Sequence, residues 1–473
     1  METIKTNVLI IGGGAAGLNA ALNLKTKKFI LLERHGSNSV ISPWNLMVKP
    51  EKELEKEILT VGNNMNSLDL LRVFLKNSRN IIKDLKKIGI KFRKSNIGLV
   101  PDYRIPGPEI KKAFLRKIEK KKILKANVEK FLIDGNKKII GVEVSFLNSQ
   151  KKVEIFFNYL ILASGGLGGF FNFITGSKDS DGSILSLCYE AGLKMKNLEF
   201  FMFHPFLITD KRLPRVLVSG DLLTKMEYEN EKGNEFLSEK VAIALREDKY
   251  RYIFGQMTKE FYQQSLRGKI YGKLICSDSW FEKYKKENEF GYIFAKFKKK
   301  DLEKIQFHPA FHFSIGGLAI DKNAKTSQKN IYAAGEIAGG LHGSNRIGGL
   351  AILDALVFGK IAALDINKKS KEYLPVSLEK EKIGKLGISN KMRKIVWQSL
   401  GPVKNKKNLE NLMILLKKKK NPTSQEKLLE KITKICLLRK KSIGVFLRED
   451  LPQSKKANSS FIINKKIVFE KHA

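Results

Sequence analysis

Cysteine is scarce in this sequence of 473 residues, and the three that occur, Cys188, Cys276 and Cys436, lie far apart. None has a CxxC or CxxH neighbour, so the sequence predicts neither a zinc or other metal site nor a disulfide framework. Such cysteine usage indicates a reducing cytoplasm. Long apolar runs are also missing, because nothing approaches the roughly 18 residues that a membrane-spanning helix needs. A buried-strand pattern already begins at residue 7, so we expect no cleavable signal peptide.

Acidic residues are few compared with basic ones: 48 Asp and Glu stand against 88 Lys and Arg, a formal net charge of +40. A nucleic-acid surface concentrates its basic residues and interleaves them with aromatic ones, whereas these lysines are spread through nearly every segment. We therefore interpret the charge as a lysine-rich solvated surface and expect no nucleic-acid partner. Attraction of anionic substrates, or contact with an acidic protein or a membrane surface, is the alternative that the charge leaves open.

The first 35 residues alternate as strand, glycine turn, helix and strand. Gly12-x-Gly14-x-x-Gly17 follows an apolar run and opens an alanine-rich helix, and Glu33 ends the next apolar run. In this context the glycines allow a tight turn, close approach of a pyrophosphate and close packing of helix on strand. The helix N-terminus offers free N–H groups to phosphates, and Glu33 is placed to accept hydrogen bonds from ribose hydroxyls. The pattern predicts a Rossmann-type dinucleotide site.

A second motif favours FAD over NAD as the dinucleotide. The glycine fingerprint by itself fits either cofactor. The apolar run at residues 331–334, however, ends in Gly335-Glu336 and precedes another helix. Large flavoproteins use such a strand and glutamate to close around the ribityl and pyrophosphate groups, and NAD domains have no use for them. We therefore expect FAD.

Motifs along the chain follow one another in the order of a known family. Their residues are as follows: Ala163-Ser-Gly-Gly, Ser180-Asp-Gly, Glu199-Phe-Phe-Met-Phe-His-Pro, His312-Phe-Ser-Ile-Gly-Gly-Leu, Tyr332-Ala-Ala-Gly-Glu-Ile, His342-Gly-Ser-Asn-Arg-Ile-Gly-Gly, Val357-Phe-Gly-Lys, Val396-Trp-Gln-Ser-Leu-Gly-Pro-Val-Lys and Arg448-Glu-Asp-Leu-Pro. Together they resemble the flavoprotein subunit family of succinate dehydrogenase and fumarate reductase, which also contains L-aspartate oxidase. The resemblance covers essentially the whole sequence.

The resemblance implies an α/β fold with three parts. A Rossmann-type FAD-binding domain would take residues 1–204 and 312–370. An α+β capping domain would be inserted at 205–311, where the regular alternation of strands and helices is lost. A C-terminal helical domain would take residues 385–473, where the pattern is helical and lysine-rich before an irregular basic tail.

The resemblance also implies hydride transfer between flavin N5 and a C4 dicarboxylate. His204 and His312 would bind a substrate carboxylate, and Arg346 would be the main bidentate clamp, because a planar guanidinium matches a carboxylate. Ser219 would supply the substrate-binding hydroxyl. The proton donor of the family opens an Arg-Asp-x-x-x-Arg segment, which makes Arg246 of Arg246-Glu-Asp-Lys-Tyr-Arg the candidate here.

The residues that we expect to hold FAD combine the glycine fingerprint with positions carried over from the resemblance. They are Gly12, Gly14, Ala15, Ala16, Gly17, Glu33, Arg34, Ser37, Asn38, Ser39, Val128, Ser164, Gly165, Asp181, Glu336, Arg346 and Ala351. In the respiratory enzymes a histidine bonds covalently to the flavin. Asn38 occupies that position here, so we expect FAD to be bound non-covalently.

The sequence departs from the family pattern beside the flavin and beside the substrate. Ser42-Pro-Trp-Asn replaces the family's Ala-Gln-Gly-Gly, and Gly220 replaces a substrate-binding glutamate. Two alternatives therefore stay open: an L-aspartate oxidase, and a FAD-binding subunit with little or no dicarboxylate turnover. Since the sequence has no cysteine set for an iron–sulfur cluster, electrons must reach a separate carrier protein, a quinone system or oxygen.

Overall fold

The computed structural model describes residues 2–95, 98–149, 151–218, 220–247, 249, 254–288, 290–369 and 380–470. Its strands, in chain order, are β1 (Glu2–Ile11), β2 (Phe29–Glu33), β3 (Leu46–Met47), β4 (Phe92–Ser95), β5 (Gly98–Pro101), β6 (Ile123–Ile133), β7 (Ile139–Phe146), β8 (Lys152–Leu162), β9 (Met195–Lys196), β10 (Phe201–Ile208), β11 (Met226–Asn230), β12 (Ile270–Leu274), β13 (Lys304–Ser314), β14 (Gly317–Ala319), β15 (Ile331–Ala333), β16 (Ala338–Gly339), β17 (Glu381–Ile383), β18 (Ser459–Ile463) and β19 (Lys466–Glu470).

The α-helices are α1 (Ala15–Asn23), α2 (Asn38–Ile41), α3 (Glu51–Val61), α4 (Leu68–Lys87), α5 (Pro106–Leu115), α6 (Ser183–Glu190), α7 (Gly220–Leu223), α8 (Glu239–Arg246), α9 (Phe254–Arg267), α10 (Asp278–Glu287), α11 (Ala351–Ile366), α12 (Asn390–Leu400), α13 (Lys406–Lys417) and α14 (Ser424–Leu438). Within the described ranges, none of these helices combines the length and the apolarity needed to cross a membrane.

The strand, helix and strand predicted for the first 35 residues are confirmed as β1, α1 and β2. β1 pairs in parallel with both β2 and β8, and β8 pairs in parallel with β15. The last four residues of β1 are buried, as expected for a central parallel strand covered on both faces. Because Ile11 and Ala333 both pair with Leu162, the carboxyl ends of β1, β8 and β15 meet at one edge of the sheet. In open α/β sheets that edge is where ligands bind.

A second sheet carries the residues between the two halves of this region. Its order is β10-β13-β12-β11, and all its pairings are antiparallel. Phe206, Phe261 and Phe307 pack in its own apolar core, together with residues of α8, α9 and α10. The predicted boundaries at 204/205 and 311/312 fall inside β10 and β13, so these two long strands run from one sheet region into the other.

The C-terminal region is helical over α12, α13 and α14, but the predicted irregular tail is wrong. Residues 459–470 form an antiparallel hairpin of β18 and β19. Phe461 and Ile462 of that hairpin pair with β9, which also pairs with β14. Phe461-Ile-Ile and Ile467-Val-Phe are short apolar runs separated by lysines, so the sequence did not indicate strands. The long-range pairing of Phe461 and Ile462 with β9 fixes the first run as a strand.

A buried ion pair joins the C-terminal region to the segment just before the strand that carries His204. Glu199 is fully buried and pairs with Arg439, which is also buried. The hydroxyl of Ser460 donates to Glu199 at 2.7 Å, and Arg439 donates to the carbonyl of Asn458 at 3.1 Å. Two buried opposite charges with satisfied hydrogen bonds compensate each other. Removing either one leaves the other buried and unpaired, which strongly destabilises the fold.

We predict that Glu199→Gln lowers the free energy of unfolding by about 3 kcal/mol or more, because it leaves the buried Arg439 cation without a counter-charge. Chemical denaturation measures the change. Asp69→Asn, which breaks the exposed pair with Arg72, is the control and should cost less than about 1 kcal/mol. Equal effects in the two variants would contradict the role given to this pair.

Candidate functional site

A single continuous cavity of about 1270 Å³ lies along the carboxyl edge of the main sheet. Its walls come from the turn between β1 and α1, from the loops after β8 and β15, and from the second sheet with α10. The cavity therefore extends from the predicted dinucleotide site to the region between the two sheets.

The glycine turn at one end of the cavity has no room for side chains. Gly12 has a φ of +117°, and a Cβ on it would lie 2.1 Å from the carbonyl oxygen of Ala163. A Cβ on Gly17 would lie 1.9 Å from the carbonyl oxygen of Gly12. Gly17 therefore packs behind the turn, while Gly12, Gly14 and the N-terminus of α1 face the cavity. This is a cradle of backbone N–H groups suited to phosphates.

Charged groups mark the ribose end of the cavity. Glu33, which lines the cavity, is paired with Lys111 at 2.7 Å and with Lys125 at 2.8 Å. Arg34 pairs with Asp181 at 2.7 Å across the cavity wall. These pairs hold the Glu33 carboxylate beside the glycine turn, where a Cβ on Gly13 would collide with it at 2.3 Å.

Glu336 lies partly buried in the loop after β15, as the Gly335-Glu336 motif predicts. It accepts hydrogen bonds from the Ser314 N–H at 2.9 Å and from the Asn38 side-chain amide at 2.9 Å. Burial raises the pKa of Glu336 to about 7, although its hydrogen-bond donors and the charge of Arg346 oppose this rise. Asn38, from the predicted flavin-binding run, is thereby fixed to the loop after β15.

At the other end of the cavity, the structure brings together the three residues predicted to bind a carboxylate. The rings of His204 on β10 and His312 on β13 have centroids 5.5 Å apart. Burial, and then the charge of Arg346, lowers the pKa of His204 to about 3 and holds the pKa of His312 well below its usual value. Both imidazoles are therefore neutral, and they act as hydrogen-bonding groups rather than as cations.

Hydrogen bonds orient the two imidazoles. Nδ1 of His204 accepts the backbone N–H of Phe206 at 3.3 Å, so its proton sits on Nε2, which can donate. The hydroxyl of Thr175 lies 2.8 Å from Nδ1 of His312. Thr175 could not be predicted from the sequence, because a single threonine in a loop carries no motif.

Arg346 is buried in the loop that leads into α11. Its guanidinium lies 4.5 Å from the centre of the Phe313 ring and donates to the carbonyl of Ile347 at 2.9 Å. Its Nε is buried without a hydrogen-bond partner in the described part of the chain. Burial lowers the pKa of Arg346 to about 10, so the group remains a cation at neutral pH. An incompletely satisfied buried guanidinium is a ready receptor for a carboxylate.

Apart from Gly17, which packs behind the turn, the predicted site residues divide into three groups. Those that line the cavity are Gly12, Gly14, Ala15, Ala16, Glu33, Arg34, Ser37, Asn38, Ser39, Val128, Ser164, Gly165, Asp181, His204, His312, Glu336, Arg346 and Ala351. Ser219 lies outside the described residues. Arg246 is exposed at the end of α8 and is not among the residues that line the cavity. The structure therefore does not bring Arg246 to the two histidines.

The cavity fits FAD by three of its own features. The hydroxyl of Ser37 and the side-chain oxygen of Asn45 are buried in its wall without hydrogen-bond partners in the described ranges, as is Nε of Arg346. The glycine turn leaves room for a pyrophosphate where side chains would collide. Glu33 is positioned for a ribose. Asn45, like Thr175, was not foreseen, because its segment departs from the family pattern.

A family profile described as "FAD binding domain" matches residues 7–352. The chain belongs to that family. FAD is therefore its cofactor, and the fingerprint, the second glutamate and the orphaned polar atoms all line the same cavity. The match runs through the residues of both sheets that line the cavity.

Relatives in the family include two activities. An L-aspartate oxidase of Clostridium perfringens is 27% identical over 76% of this chain and 86% of its own length. A chain of the fumarate reductase (CoM/CoB) of Methanothermobacter marburgensis is 23% identical over 98% of this chain and 98% of its own length. Among solved structures, an E. coli quinol fumarate reductase chain superposes with a TM-score of 0.79 at 16% identity, covering 100% of this chain and 98% of that one. The last comparison establishes a shared fold.

We predict a pH dependence from Glu336. Its folded pKa of about 7 exceeds the ordinary value of 4.5, so its contribution to stability is complete below pH 4.5 and is lost as pH rises to about 7. Relative to Glu336→Gln, FAD-free wild-type protein should lose up to about 3 kcal/mol across this window. Denaturation at several pH values measures it. The exposed control Glu303→Gln should follow the wild type, and a flat difference for Glu336→Gln would contradict the prediction.

Proposed function

We propose that the protein transfers hydride between FAD and a C4 dicarboxylate, as a flavoprotein of the fumarate reductase and succinate dehydrogenase type. The observation that carries the proposal is the buried Arg346 beside two neutral histidines at the far end of the cavity. Nε of Arg346 has no hydrogen-bond partner among the described residues. When bound, FAD supplies N5 as the atom that gives or takes the hydride. The protein must then hold the substrate and exclude water.

Three side chains would hold one carboxylate of the substrate. The planar guanidinium of Arg346 offers parallel N–H donors, which match the two oxygens of a carboxylate. Nε2 of His204 adds a neutral donor, and His312 lies close enough to reach the same group. Because the histidines carry no charge, they orient the carboxylate through hydrogen bonds, while Arg346 supplies the positive charge that attracts it.

The loop before α7 and the start of α9 would cover the substrate. Val216, Leu217, Val218 and Phe254 line the same cavity as the histidines, and the ring of Phe254 lies 5.2 Å from that of His204. An apolar cover over a charged clamp keeps water from the reacting carbon atoms and strengthens the clamp. This arrangement supports hydride transfer rather than a simple binding role.

The predicted proton donor is not part of this arrangement. Arg246 stays a prediction from the sequence alone, since it is exposed and lies outside the cavity lining. Ser219, the predicted substrate hydroxyl, also stays a prediction. We therefore route no proton step through either residue. The electron partner of the proposed reaction is a separate carrier protein, quinone system or oxygen.

A second candidate function is oxidation of L-aspartate, and Asp221 favours it. Asp221 lines the cavity at the start of α7, directly after Gly220, and accepts a hydrogen bond from Asn288 at 3.1 Å. A carboxylate in this place complements the ammonium group of an amino acid, whereas it gives no help to a dicarboxylate without one. The 27% identity to an L-aspartate oxidase agrees with this candidate.

The two functions separate in one anaerobic experiment. The purified flavoprotein is photoreduced, and fumarate is added while the flavin absorbance near ~450 nm is followed. Rapid reoxidation by fumarate supports the main proposal. Reduction of the oxidised protein by L-aspartate, with hydrogen peroxide formed once air is admitted, supports the second candidate. Indifference to fumarate, succinate and aspartate would instead favour a FAD-binding subunit without dicarboxylate turnover.

We predict that Arg346→Lys lowers kcat/KM for the dicarboxylate about 100-fold or more, because a lysine ammonium cannot make the bidentate contact. FAD should remain bound, as its absorbance after gel filtration will report. Arg72→Lys, on the exposed face of α4, is the matched control and should retain full activity. Near-normal turnover of Arg346→Lys would show that the clamp lies elsewhere.

We predict that Asp221→Asn distinguishes the two candidates. If aspartate is the substrate, loss of the carboxylate should lower kcat/KM for aspartate about tenfold, since the ammonium group loses a charged hydrogen-bond acceptor. Fumarate reduction should be unchanged or improved in the same variant, because a negative charge has been removed near a dianion. Stopped-flow measurement of both half-reactions tests this. A loss confined to fumarate would contradict the role given to Asp221.

A further inference from the structure

The segment between α2 and β3 contains a strained residue. Trp44 has a φ of +57°, a region that bulky side chains rarely adopt. It is nevertheless buried, at 2% exposure, and its ring packs 6.4 Å from that of Phe114 on α5. Strain of this kind persists only where the surroundings impose it, and it concentrates at functional sites.

Two hydrogen bonds impose the conformation of Trp44. Its backbone N–H donates to the hydroxyl of Ser42 at 3.1 Å, and its indole N–H donates to the carbonyl of Ser39 at 2.6 Å. The Ser39 hydroxyl in turn accepts the N–H of Ala15, at the first turn of α1. The strained turn is thus tied to the phosphate cradle of the FAD site.

The consequence of the turn is the position of Asn45. Its side chain lines the cavity, and its Oδ1 is buried without a hydrogen-bond partner among the described residues. A buried amide oxygen without a partner is costly, so it points to a ligand group that satisfies it.

The position of Asn45 along the cavity selects the part of FAD that it meets. Two residues further on, the N–H of Met47 donates to the carbonyl of Gly349 at 3.1 Å, in the loop that carries Arg346. Asn45 therefore lies at the Arg346 end of the cavity, while Glu33 marks the ribose end. Since the redox ring of a dinucleotide lies away from its adenosine ribose, we expect the ring rather than the ribose near Asn45.

We propose that the amide of Asn45 hydrogen-bonds the edge of the isoalloxazine ring and makes the bound FAD easier to reduce, and that Trp44 is the positioning residue that holds it there. The ring gains an N–H on reduction, and an acceptor such as Oδ1 stabilises that form. The proposal deepens the hydride-transfer function above, because the potential sets the favoured direction. Its test, however, needs no dicarboxylate.

The test is the midpoint potential of the purified holoprotein, measured by dye equilibration without substrate. Asn45→Ala should lower it, because about one hydrogen bond to the reduced ring is lost. A tenfold change in the equilibrium constant corresponds to about 30 mV for a two-electron couple. Asn45→Asp should lower it further, since a carboxylate opposes added electron density. Asn411→Ala, exposed on α13, is the control and should leave the potential unchanged.

A double-mutant comparison tests the role of Trp44. Trp44→Phe keeps an aromatic ring but loses the bond to Ser39, so it should lower the potential in the same direction. Adding Asn45→Ala should then cause no further change, because both substitutions remove one interaction. Phe114→Leu disturbs the packing of Trp44 without touching the cavity, and it should leave the potential unaltered.

A wild-type potential in Asn45→Ala would overturn the proposal. So would a shift in Phe114→Leu as large as that in Trp44→Phe, since the effect would then be general packing. If Asn45→Ala raised KM for fumarate with an unchanged potential, Asn45 would face the substrate and the proposal would be wrong. A shifted potential in a variant that turns over neither fumarate nor aspartate would support the proposal and would count against the proposed function alone.

Discussion

The site depends on the contact that the turn after β1 makes with the end of β8. Backbone meets backbone there, since any side chain on Gly12 would overlap Ala163 and any side chain on Gly17 would overlap Gly12. A similar approach occurs on the far side of α1, where a Cβ on Gly359 of α11 would lie 2.3 Å from the carbonyl oxygen of Ala16. The helix is thus clamped between strand and helix, and its N-terminus is directed into the cavity.

Electrostatics divides the cavity into two ends with different chemistry. At the ribose end, carboxylates and cations pair with one another, as Glu33 does with its two lysines. At the opposite end burial has removed the charge from both histidines, and Arg346 keeps its charge with Glu336 and Asp354 as the nearby acids that favour it. In such an arrangement the single cation favours an anionic ligand, and the neutral donors orient it.

The sequence was sufficient where function follows from local pattern. The glycine fingerprint and the strand, helix and strand of the first 35 residues could each be predicted, because turn chemistry and hydrophobic period act over a few residues. Features that depend on long-range contacts could not be predicted. The β18–β19 hairpin depends on a partner far away in the chain, and the value of φ at Trp44 depends on bonds to Ser39 and Ser42. Arg246 was chosen by arginine spacing, which does not report burial.

The pairing of β18 with β9 sets an order of events during synthesis. Ser460 bonds to Asn197 and to Glu199, although 263 residues separate Ser460 from Asn197 in the chain. At a ribosomal rate of about 5–20 residues per second, that interval takes about 13 to 50 s. β9, and Glu199 just ahead of the strand that carries His204, must wait through this time without their C-terminal partners. The nascent protein thus has a period in which its dinucleotide cradle can already form but its substrate end is incomplete, so early FAD binding would protect the half that is finished.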